Sequence, residues 1–264
     1  MKLADTRLGP ILEAVTARAK VREATGRGFK EEAVHRTSQG KTSVESLKEK
    51  SLAIIAECKR RSPSAGNLAD EPDLLKRALR YAKEGASVIS ILTEQDGFGG
   101  SLEDFVHLQT VSSPRLRKDF IVNSFMVDES ARVGADFILL MAVCLEGSQL
   151  SELCAQAQEQ EMAVLMEVHD EEELSRAINA KPDCIGVNAR DLRTFDVDLQ
   201  TAETLLPIIP SSFIKIAESG LQTYDDLLRV KSAGADAALI GTAFMKDPEK
   251  LGQWTKNLRE DFHA

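Results

Sequence analysis

Acidic and basic side chains lie at the ends of several apolar, β-branched runs in this sequence. The residues at or just beyond these ends are Glu57, Lys59, Lys118, Glu167, Asn188 and Glu218. A charged group beside a buried strand costs free energy unless it is paired or used. Carboxylates and ammonium groups that lie close together pass protons or hold an anion. The pattern therefore predicts an acid–base or anion-binding site where parallel strands end.

Two of these ends place a pair of polar side chains on one face of a strand. Side chains alternate along a strand, so Glu57 and Lys59 share a face and Cys58 takes the other. This pair is interpreted either as a proton donor and acceptor or as a buried ion pair that only fills space. Asn188 and Arg190 share a face in the same way. An amide orients hydroxyl groups, and a guanidinium grips a carboxylate through two hydrogen bonds.

Two further ends carry a single charged residue. Lys118 lies within the apolar run 117–122, where a lysine is rare unless it reaches solvent or has a function. It is predicted to be a general acid or a Schiff-base nucleophile. Glu167 follows four apolar residues and is predicted to be a base or the partner of a lysine. His169, two residues later, is expected to have a structural role in the loop.

Two late strand ends carry small residues that suit a phosphate group. They read Glu218-Ser219-Gly220 and Ile240-Gly241-Thr242. Small side chains let backbone N–H groups approach a ligand closely. In an eight-stranded α/β barrel the usual phosphate site lies in the loops after strands seven and eight. In that context these residues predict phosphate binding.

A repeat indicates the elements that must position these residues. Gly-Ala-Ser, Gly-Ala-Asp and Pro-Asp sequences precede apolar runs near residues 85, 134, 182 and 234, roughly fifty residues apart. A second set of apolar runs falls between them, at 117–122, 162–166 and 213–217, and the series starts at 53–57. Eight apolar strands alternating with polar, helix-compatible segments predict an α/β fold, a single (β/α)8 TIM barrel. The alternative is an open doubly wound sheet, but the expected Gly-rich loop is missing after the first strand, where residues 59–64 are found.

The sequence before the first strand predicts a helical N-terminal extension over residues 1–50, with the barrel over 51–264. A helix is expected to begin at Pro10, with Leu12, Val15, Ala19 and Val21 on one side; a second, short helix is expected over 43–47. The extension is interpreted as a cap that packs on the barrel. The alternative is an arm that also closes over the ligand.

Composition excludes several classes of function. The net charge of −9 argues against a nucleic-acid-binding surface, although cations concentrated inside a site would still hold an anionic ligand. The four cysteines show no CxxC spacing, so reduced thiols and a cytoplasmic location are expected. No apolar stretch approaches a membrane span, and the four histidines show no metal-binding spacing. We therefore expect neither a metal nor an organic cofactor.

Seven motifs resemble those of the indole-3-glycerol-phosphate synthase family, which acts in tryptophan biosynthesis. Together they cover about residues 51–246 in the family's order. The motifs are Ile55–Ser64, Leu92–Glu94 with Phe98–Ser101, Arg117–Val122, Met166–His169, Ile185–Leu192, Ala217–Leu221 and Leu239–Gly241. Each motif alone is weak evidence, but seven motifs in the family's order make the resemblance specific.

The resemblance implies ring closure of 1-(2-carboxyphenylamino)-1-deoxyribulose 5-phosphate with loss of carbon dioxide and water. Lys118 would be the general acid on the ketone oxygen. Glu167 would help to remove the hydroxyl group, Lys59 would hold the carboxylate and donate a proton, and Glu57 would be the matching base. The other implied contacts are Asn188 and Glu218 to hydroxyls and lysines, Arg190 to the carboxylate, Phe120, Phe98 and Ser219 to the substrate, and Ser62, Gly220, Gly241 and Thr242 to the phosphate.

Three departures from the family pattern affect the loops. Residues 123–126 replace an Asp-Pro-Tyr-Gln-like stretch, Ala189 stands where many members have Asn, and Thr242 stands where Ser or Glu is common. The first changes the sequence of the loop after strand three. None removes a charged residue of the predicted site.

Two alternative functions stay open beside the synthase. The lysine in a strand also suits a class I, Schiff-base aldolase-like barrel, and the predicted phosphate site also suits a non-catalytic sugar-phosphate-binding protein. In each case the expected partner is a small anionic sugar phosphate. The chain is expected to be a monomer or a weak homo-oligomer, and contact with other tryptophan-pathway enzymes stays open.

Overall fold

Eight parallel strands close into a barrel, as the sequence predicted. A computed structural model describes residues 6, 8–26, 36, 40–62, 66–67, 73–192 and 194–263. Each barrel strand pairs with its sequence neighbours, and the first pairs with the last. The strands are β1 Ala53–Cys58, β2 Val88–Leu92, β3 Arg115–Lys118, β4 Phe137–Met141, β5 Ala163–Val168, β6 Cys184–Asn188, β7 Ile214–Glu218 and β8 Ala237–Ile240.

Helices cover the outside of the barrel and precede its first strand. They are α1 Gly9–Thr25, α2 Gly40–Lys48, α3 Leu74–Lys83, α4 Leu102–His107, α5 Ser124–Arg132, α6 Gln149–Glu159, α7 Glu171–Ala180, α8 Gln200–Leu205, α9 Tyr224–Ser232, α10 Thr242–Lys246 and α11 Lys250–His263. After β1, Arg61–Ser62 pairs antiparallel with Gly66–Asn67. Within the described ranges, no helix has the length and apolar character that crossing a membrane requires.

The Gly-Ala-Asp repeat has a structural explanation at each helix-to-strand junction. Gly134 and Gly234 adopt left-handed backbone angles, φ 76° and 97°, which end the preceding helix at little steric cost. The aspartate that follows then accepts a hydrogen bond from the backbone of the preceding strand. Asp136 Oδ2 accepts from Arg115 N, and Asp236 Oδ2 accepts from Lys215 N, both at 2.8 Å. The repeat therefore fixes where neighbouring strands start.

The third strand begins and ends earlier than the sequence predicted. The expected run was 117–122, but β3 ends at Lys118 because Asp119 turns the chain out of the sheet. Asp119 Oδ1 accepts from the N–H of Phe120 at 2.9 Å, and its Oδ2 accepts from Thr93 Oγ1 at 2.6 Å. Arg117, fully buried, donates to the same Oδ2. Lys118 is thus the last residue of a strand rather than its interior.

The two N-terminal helices lie at different places on the barrel. α2 ends shortly before β1 begins and contacts β5 and β7, with Leu47 fully buried. α1 contacts α5, and its buried residues are Gly9, Val15 and Ala19, of which the last two lie on the predicted face. Leu12 of that face is partly buried. Val15 and Ala19 are buried, whereas Val21 is 59% exposed, so the prediction for Val21 was wrong. The apolar face of α1 ends one turn earlier than the pattern suggested.

Candidate active site

A cavity opens at the carboxyl ends of the barrel strands and gathers the predicted residues. It has a volume of about 1090 Å³ including its open mouth. Every predicted site residue except Ser62 lines it. These residues are Glu57, Lys59, Phe98, Lys118, Phe120, Glu167, Asn188, Arg190, Glu218, Ser219, Gly220, Gly241 and Thr242. Ser62 lies in the short pairing after β1, and its side chain is outside the described part of the structure.

Glu57 and Lys59 form an ion pair at one side of the cavity. Glu57 lies near the end of β1 and is 5% exposed, while Cys58 between them is fully buried on the opposite face, as alternation predicted. Burial raises the pKa of Glu57, but the charges of Lys59 and Lys118 outweigh it and bring the pKa below its ordinary value. The carboxylate is therefore ionised at neutral pH and is able to accept a proton.

Lys118 is held between two buried glutamates from other strands. Its Nζ donates to Glu218 Oε2 at 2.7 Å and lies 3.7 Å from Glu167 Oε2. Burial alone would lower the pKa of Lys118, but the carboxylates of Glu218 and Glu167 raise it above its ordinary value. Lys118 is therefore protonated at neutral pH, which is the state that a general acid requires.

The two glutamates beside Lys118 differ in their protonation. Burial raises the pKa of Glu218, and Glu167 adds to that increase against the opposing charge of Lys118. Burial acts in the same direction on Glu167, but nearby His169 and Lys118 lower its pKa below the ordinary value. Carboxyl groups whose pKa values are driven apart take different acid and base roles. Glu167 is the ionised group, and Glu218 is the one that takes up a proton more readily.

Asn188 and His169 both lie close to Oε1 of Glu167, the carboxylate oxygen that does not face Lys118. Asn188, at the end of β6, donates to Glu167 Oε1 at 3.0 Å. His169 Nε2 lies 3.4 Å from the same oxygen. Asn188 also accepts a hydrogen bond from the N–H of Arg190 at 3.0 Å, which ties the loop after β6 to the site. Glu167 therefore turns Oε1 toward the protein and Oε2 toward Lys118 and the cavity.

Two glycines leave the space that the buried carboxylates occupy. A Cβ on Gly186, in β6, would lie 2.1 Å from Glu218 Oε1, and one on Gly241 would lie 2.3 Å from Glu57 Oε1. Both distances are shorter than the 3.0 Å below which Cβ atoms essentially never approach another heavy atom. Neither glycine has a positive φ, so the space that they leave, rather than a left-handed backbone, explains them.

Substitution of Gly186 by alanine is therefore expected to displace Glu218 and, with it, Lys118. A misplacement of about 1 Å lowers turnover by on the order of 10²-fold, so kcat in steady-state assays is expected to fall by that amount. Gly252→Ala is the matched control, because its Cβ would meet the nearest atom at an ordinary 3.6 Å, far from the site. Near-normal kcat for Gly186→Ala would contradict the need for this space.

An aromatic and apolar wall faces the charged residues. The rings of Phe98 and Phe120 have centroids 6.5 Å apart and are tilted by 43°. Arg190 lies at the wall's edge, where its Nη1 donates to the carbonyl of Phe195 at 2.9 Å. The cavity therefore offers aromatic side chains beside cations, which suits an aromatic acid.

The loops after β7 and β8 present backbone groups to the same cavity. Ser219 and Gly220 follow one another with left-handed backbone angles, φ 65° and 77°. Consecutive residues of this kind expose N–H groups on one side of the chain. Gly241 and Thr242 lie beside them, with Gly241 preceding α10.

Some residues of the site gave a weaker signal in the sequence or none. Leu8 and Ile11, at the start of α1, line the cavity, and their spacing to Val15 is the helical spacing of the predicted face. His169 contacts Glu167 rather than serving only the loop. Within the described residues, no cluster of three histidine, cysteine, aspartate or glutamate side chains is arranged to hold a metal ion.

The departures from the family pattern are accommodated locally. Asn123 caps α5, with its Oδ1 accepting from Met126 N at 3.1 Å, a role that aspartate also fills. Ala189 is 3% exposed, and its N–H donates to the carbonyl of Glu218 at 2.9 Å. Neither change disturbs the charged residues of the cavity.

Two solved structures illustrate the similarity of the fold. One is thiamine phosphate pyrophosphorylase from Pyrococcus furiosus, with a TM-score of 0.59 at 16% identity over 80% of this chain and 97% of that one. Another is the N-acetylmannosamine-6-phosphate 2-epimerase from Clostridium perfringens, with a TM-score of 0.60 at 16% identity over 87% and 99%. At this identity the likeness shows the fold alone, a barrel with alternating helices.

Sequence comparison identifies the family. The family model described as "Indole-3-glycerol phosphate synthase" matches residues 11–258. Proteins of that name are 42% identical in Aliarcobacter butzleri, over 82% of both chains, and 41% identical in Parafrankia sp., over 89% of both. The protein from Nocardioides sp. is 45% identical over 76% of this chain and 77% of its own. This chain belongs to the indole-3-glycerol phosphate synthase family.

Proposed function

We propose that the cavity closes the indole ring of 1-(2-carboxyphenylamino)-1-deoxyribulose 5-phosphate and releases indole-3-glycerol phosphate in tryptophan biosynthesis. Family membership supports the reaction. The observation that carries the assignment to this site is the placement of Lys118 between Glu167 and Glu218, inside the cavity that also holds Glu57 and Lys59. The reaction needs both an acid for a ketone oxygen and groups for a later dehydration, and the site supplies both.

The substrate is proposed to lie across the barrel mouth with its two anionic ends apart. Its carboxylate would meet the cations of Lys59 and Arg190, and its aromatic ring would lie against Phe98 and Phe120. Its phosphate would accept hydrogen bonds from backbone N–H groups of the loops after β7 and β8. The residues predicted for the phosphate are Gly220, Gly241 and Thr242 in these loops, together with Ser62 after β1. This arrangement explains why an acidic protein concentrates cations here.

Ring closure begins with a carbon–carbon bond. The aromatic carbon that bears the carboxylate attacks the ketone carbon, and Lys118 gives its proton to the ketone oxygen, which becomes a hydroxyl group. Loss of carbon dioxide then returns the electron pair of the broken bond to the ring. Glu218, hydrogen-bonded to Lys118, orients the ammonium group and shares its charge.

Dehydration completes the product. The ring nitrogen expels the hydroxyl group, which leaves as water after receiving a proton, and loss of a ring-carbon proton then forms the indole. We assign the proton for the leaving hydroxyl to Lys59, the stabilisation of the resulting cation to the ionised Glu167, and the final proton removal to Glu57. Asn188 holds Glu167 through the bond to Oε1. Only the chain's own side chains are needed for these steps.

The division into an extension of residues 1–50 and a barrel of 51–264 is proposed to have a functional meaning. Leu8 is 2% exposed and lines the cavity with Ile11. We propose that the start of α1 covers the apolar part of the substrate while α2 closes the opposite end of the barrel. A cytoplasmic location and a monomer or weak homo-oligomer stay proposals that follow from the family.

The decisive test is turnover of the pure protein with this substrate, followed by indole fluorescence. Product formation with the Lys118→Met variant as the negative control supports the proposal. A folded sample that forms no product at any enzyme concentration contradicts it. Borohydride treatment in the presence of substrate tests the aldolase alternative, because only a Schiff-base enzyme would gain covalent mass on Lys118. Tight binding without turnover would favour the non-catalytic alternative.

A further inference from the structure

His169 and Glu173 form a chain of contacts behind Glu167. His169 follows β5 directly, and Glu173 lies in the first turn of α7. His169 Nδ1 lies 3.0 Å from Glu173 Oε2, and its Nε2 lies 3.4 Å from Glu167 Oε1. The imidazole therefore bridges two carboxylates, one of which is in the active site.

Glu173 is itself fixed in place by the backbone. Its Oε2 also accepts the N–H of His169 at 2.8 Å. Its own N–H donates to Asp170 Oδ1, the cap of α7, at 2.9 Å. Both side chains are largely buried, with 13% of His169 and 12% of Glu173 exposed. A carboxylate anchored at two points fixes the plane of the ring that it holds.

The groups around the imidazole make it cationic. Burial lowers the pKa of His169, but the carboxylates of Glu167 and Glu173 outweigh burial and raise its pKa to about 10. The other titratable group nearby is Cys144, whose thiol has its pKa raised by burial and by these carboxylates and which therefore stays neutral. Arg176, on α7, donates to the carbonyls of Ala142 and Leu145 instead of to an acid here. From β3, Lys118 faces Glu167 on its other oxygen.

We propose that His169, held by Glu173, is a positioning residue that presents Glu167 to the substrate as an oriented, ionised carboxylate. The proposal rests on the assignment of Glu167 to the dehydration step. An imidazolium beside Oε1 and an ammonium beside Oε2 hold the carboxylate from both sides. Glu167 then receives a proton only when the substrate's chemistry delivers one, because the surrounding charges oppose its protonation from solvent.

The test compares His169→Gln with Glu173→Gln and the control Glu172→Gln across pH. Glutamine keeps a donor but removes the positive charge. We expect kcat of His169→Gln to fall by about 10-fold with KM within about 2-fold, the lower end of what partners orienting a functional side chain contribute. Without the cation Glu167 is protonated more easily, so the acid limb of the kcat/KM profile is expected to move to higher pH, by about one unit.

Glu173→Gln keeps the imidazole and an acceptor oxygen for it but removes one of the two negative charges beside the ring. The pKa of His169 is then expected to fall, so that kcat declines at alkaline pH where the wild type does not. Glu172 is exposed in the same turn of α7, so Glu172→Gln makes the same change of charge and is expected to match the wild type. This variant separates a local effect from a general change in charge.

Two results would overturn the inference. The first is a His169→Gln profile that coincides with the wild type in both kcat and acid limb. The second is a lower kcat and a lower unfolding temperature with an unmoved acid limb, which would assign His169 to packing alone. If His169→Gln does not fold, the Glu173→Gln profile decides: a decline of kcat at alkaline pH supports the inference, and a profile that coincides with the wild type overturns it. A wild type without turnover would instead reject the proposed reaction, and analogue binding to the folded protein would distinguish the two failures.

Discussion

Replacement of Lys118 by methionine is expected to lower kcat by 10²–10⁴-fold, the contribution of one general acid. Methionine keeps much of the aliphatic side chain, so the loss isolates the ammonium group. The measurement is steady-state turnover followed by indole fluorescence. Lys256→Met is the control, because Lys256 is 74% exposed and its ion pair with Glu260 lies on the surface. A near-normal rate would remove Lys118 from the mechanism.

The Lys118→Met variant is expected to fold, but the pH dependence of its thermal stability is expected to differ from that of the wild type. Without the cation, Glu167 and Glu218 would be two buried like charges, so Glu218, whose pKa is already raised by burial, takes up a proton. A carboxyl with a raised folded-state pKa stabilises the protein below its unfolded pKa, and that stability is lost as pH rises through the folded value. Thermal unfolding from acid to alkaline pH measures this, and an unchanged profile would contradict the coupling.

Glu167→Gln is expected to lower indole formation by on the order of 10²-fold, because a neutral amide does not stabilise the cation that forms when the hydroxyl group leaves. The effect should fall on dehydration rather than on ring closure, since Lys118 is intact. During the first turnover, carbon dioxide is therefore expected to be released faster than indole fluorescence appears. The measurement combines a substrate labelled in its carboxylate with fluorescence in one stopped-flow series.

The timing of the two products decides this prediction. If release of carbon dioxide and formation of indole slow together, Glu167 acts at or before ring closure. If both proceed at the wild-type rate, Glu167 has no chemical role. Asn188→Asp is the companion variant, because it leaves Glu167 in place but replaces the donor to Oε1 by a second carboxylate. It is expected to slow the same step by a smaller factor.

Much of the barrel and of its charged site followed from local rules. The repeat near residues 85, 134, 182 and 234 indicated where four of the strands begin, since similar residues recur wherever a helix ends shortly before a buried strand. Alternation placed Glu57 and Lys59 on one face, with buried Cys58 on the other. Parallel strands end together, so residues far apart in sequence met at one cavity.

The features that were not predicted depend on contacts between elements. Asp119 ends β3 through a bond to Thr93, which lies just beyond another strand. Gly186 matters because of Glu218 on the neighbouring strand, and nothing in its own surroundings in the sequence signals that. His169 faces Glu167 only because α7 places Glu173 behind it. Periodicity reports the face on which a residue lies but not the partner it meets there.

The most direct test of the account is a crystal structure with a substrate analogue whose ketone has been reduced to an alcohol. We expect its phosphate against the N–H groups of Gly220 and Gly241, its carboxylate beside Lys59 and Arg190, and its alcohol oxygen within hydrogen-bonding distance of Lys118 Nζ. A phosphate bound away from the loops after β7 and β8, or an alcohol oxygen out of reach of Lys118, would contradict the claim that these side chains surround one anionic ligand.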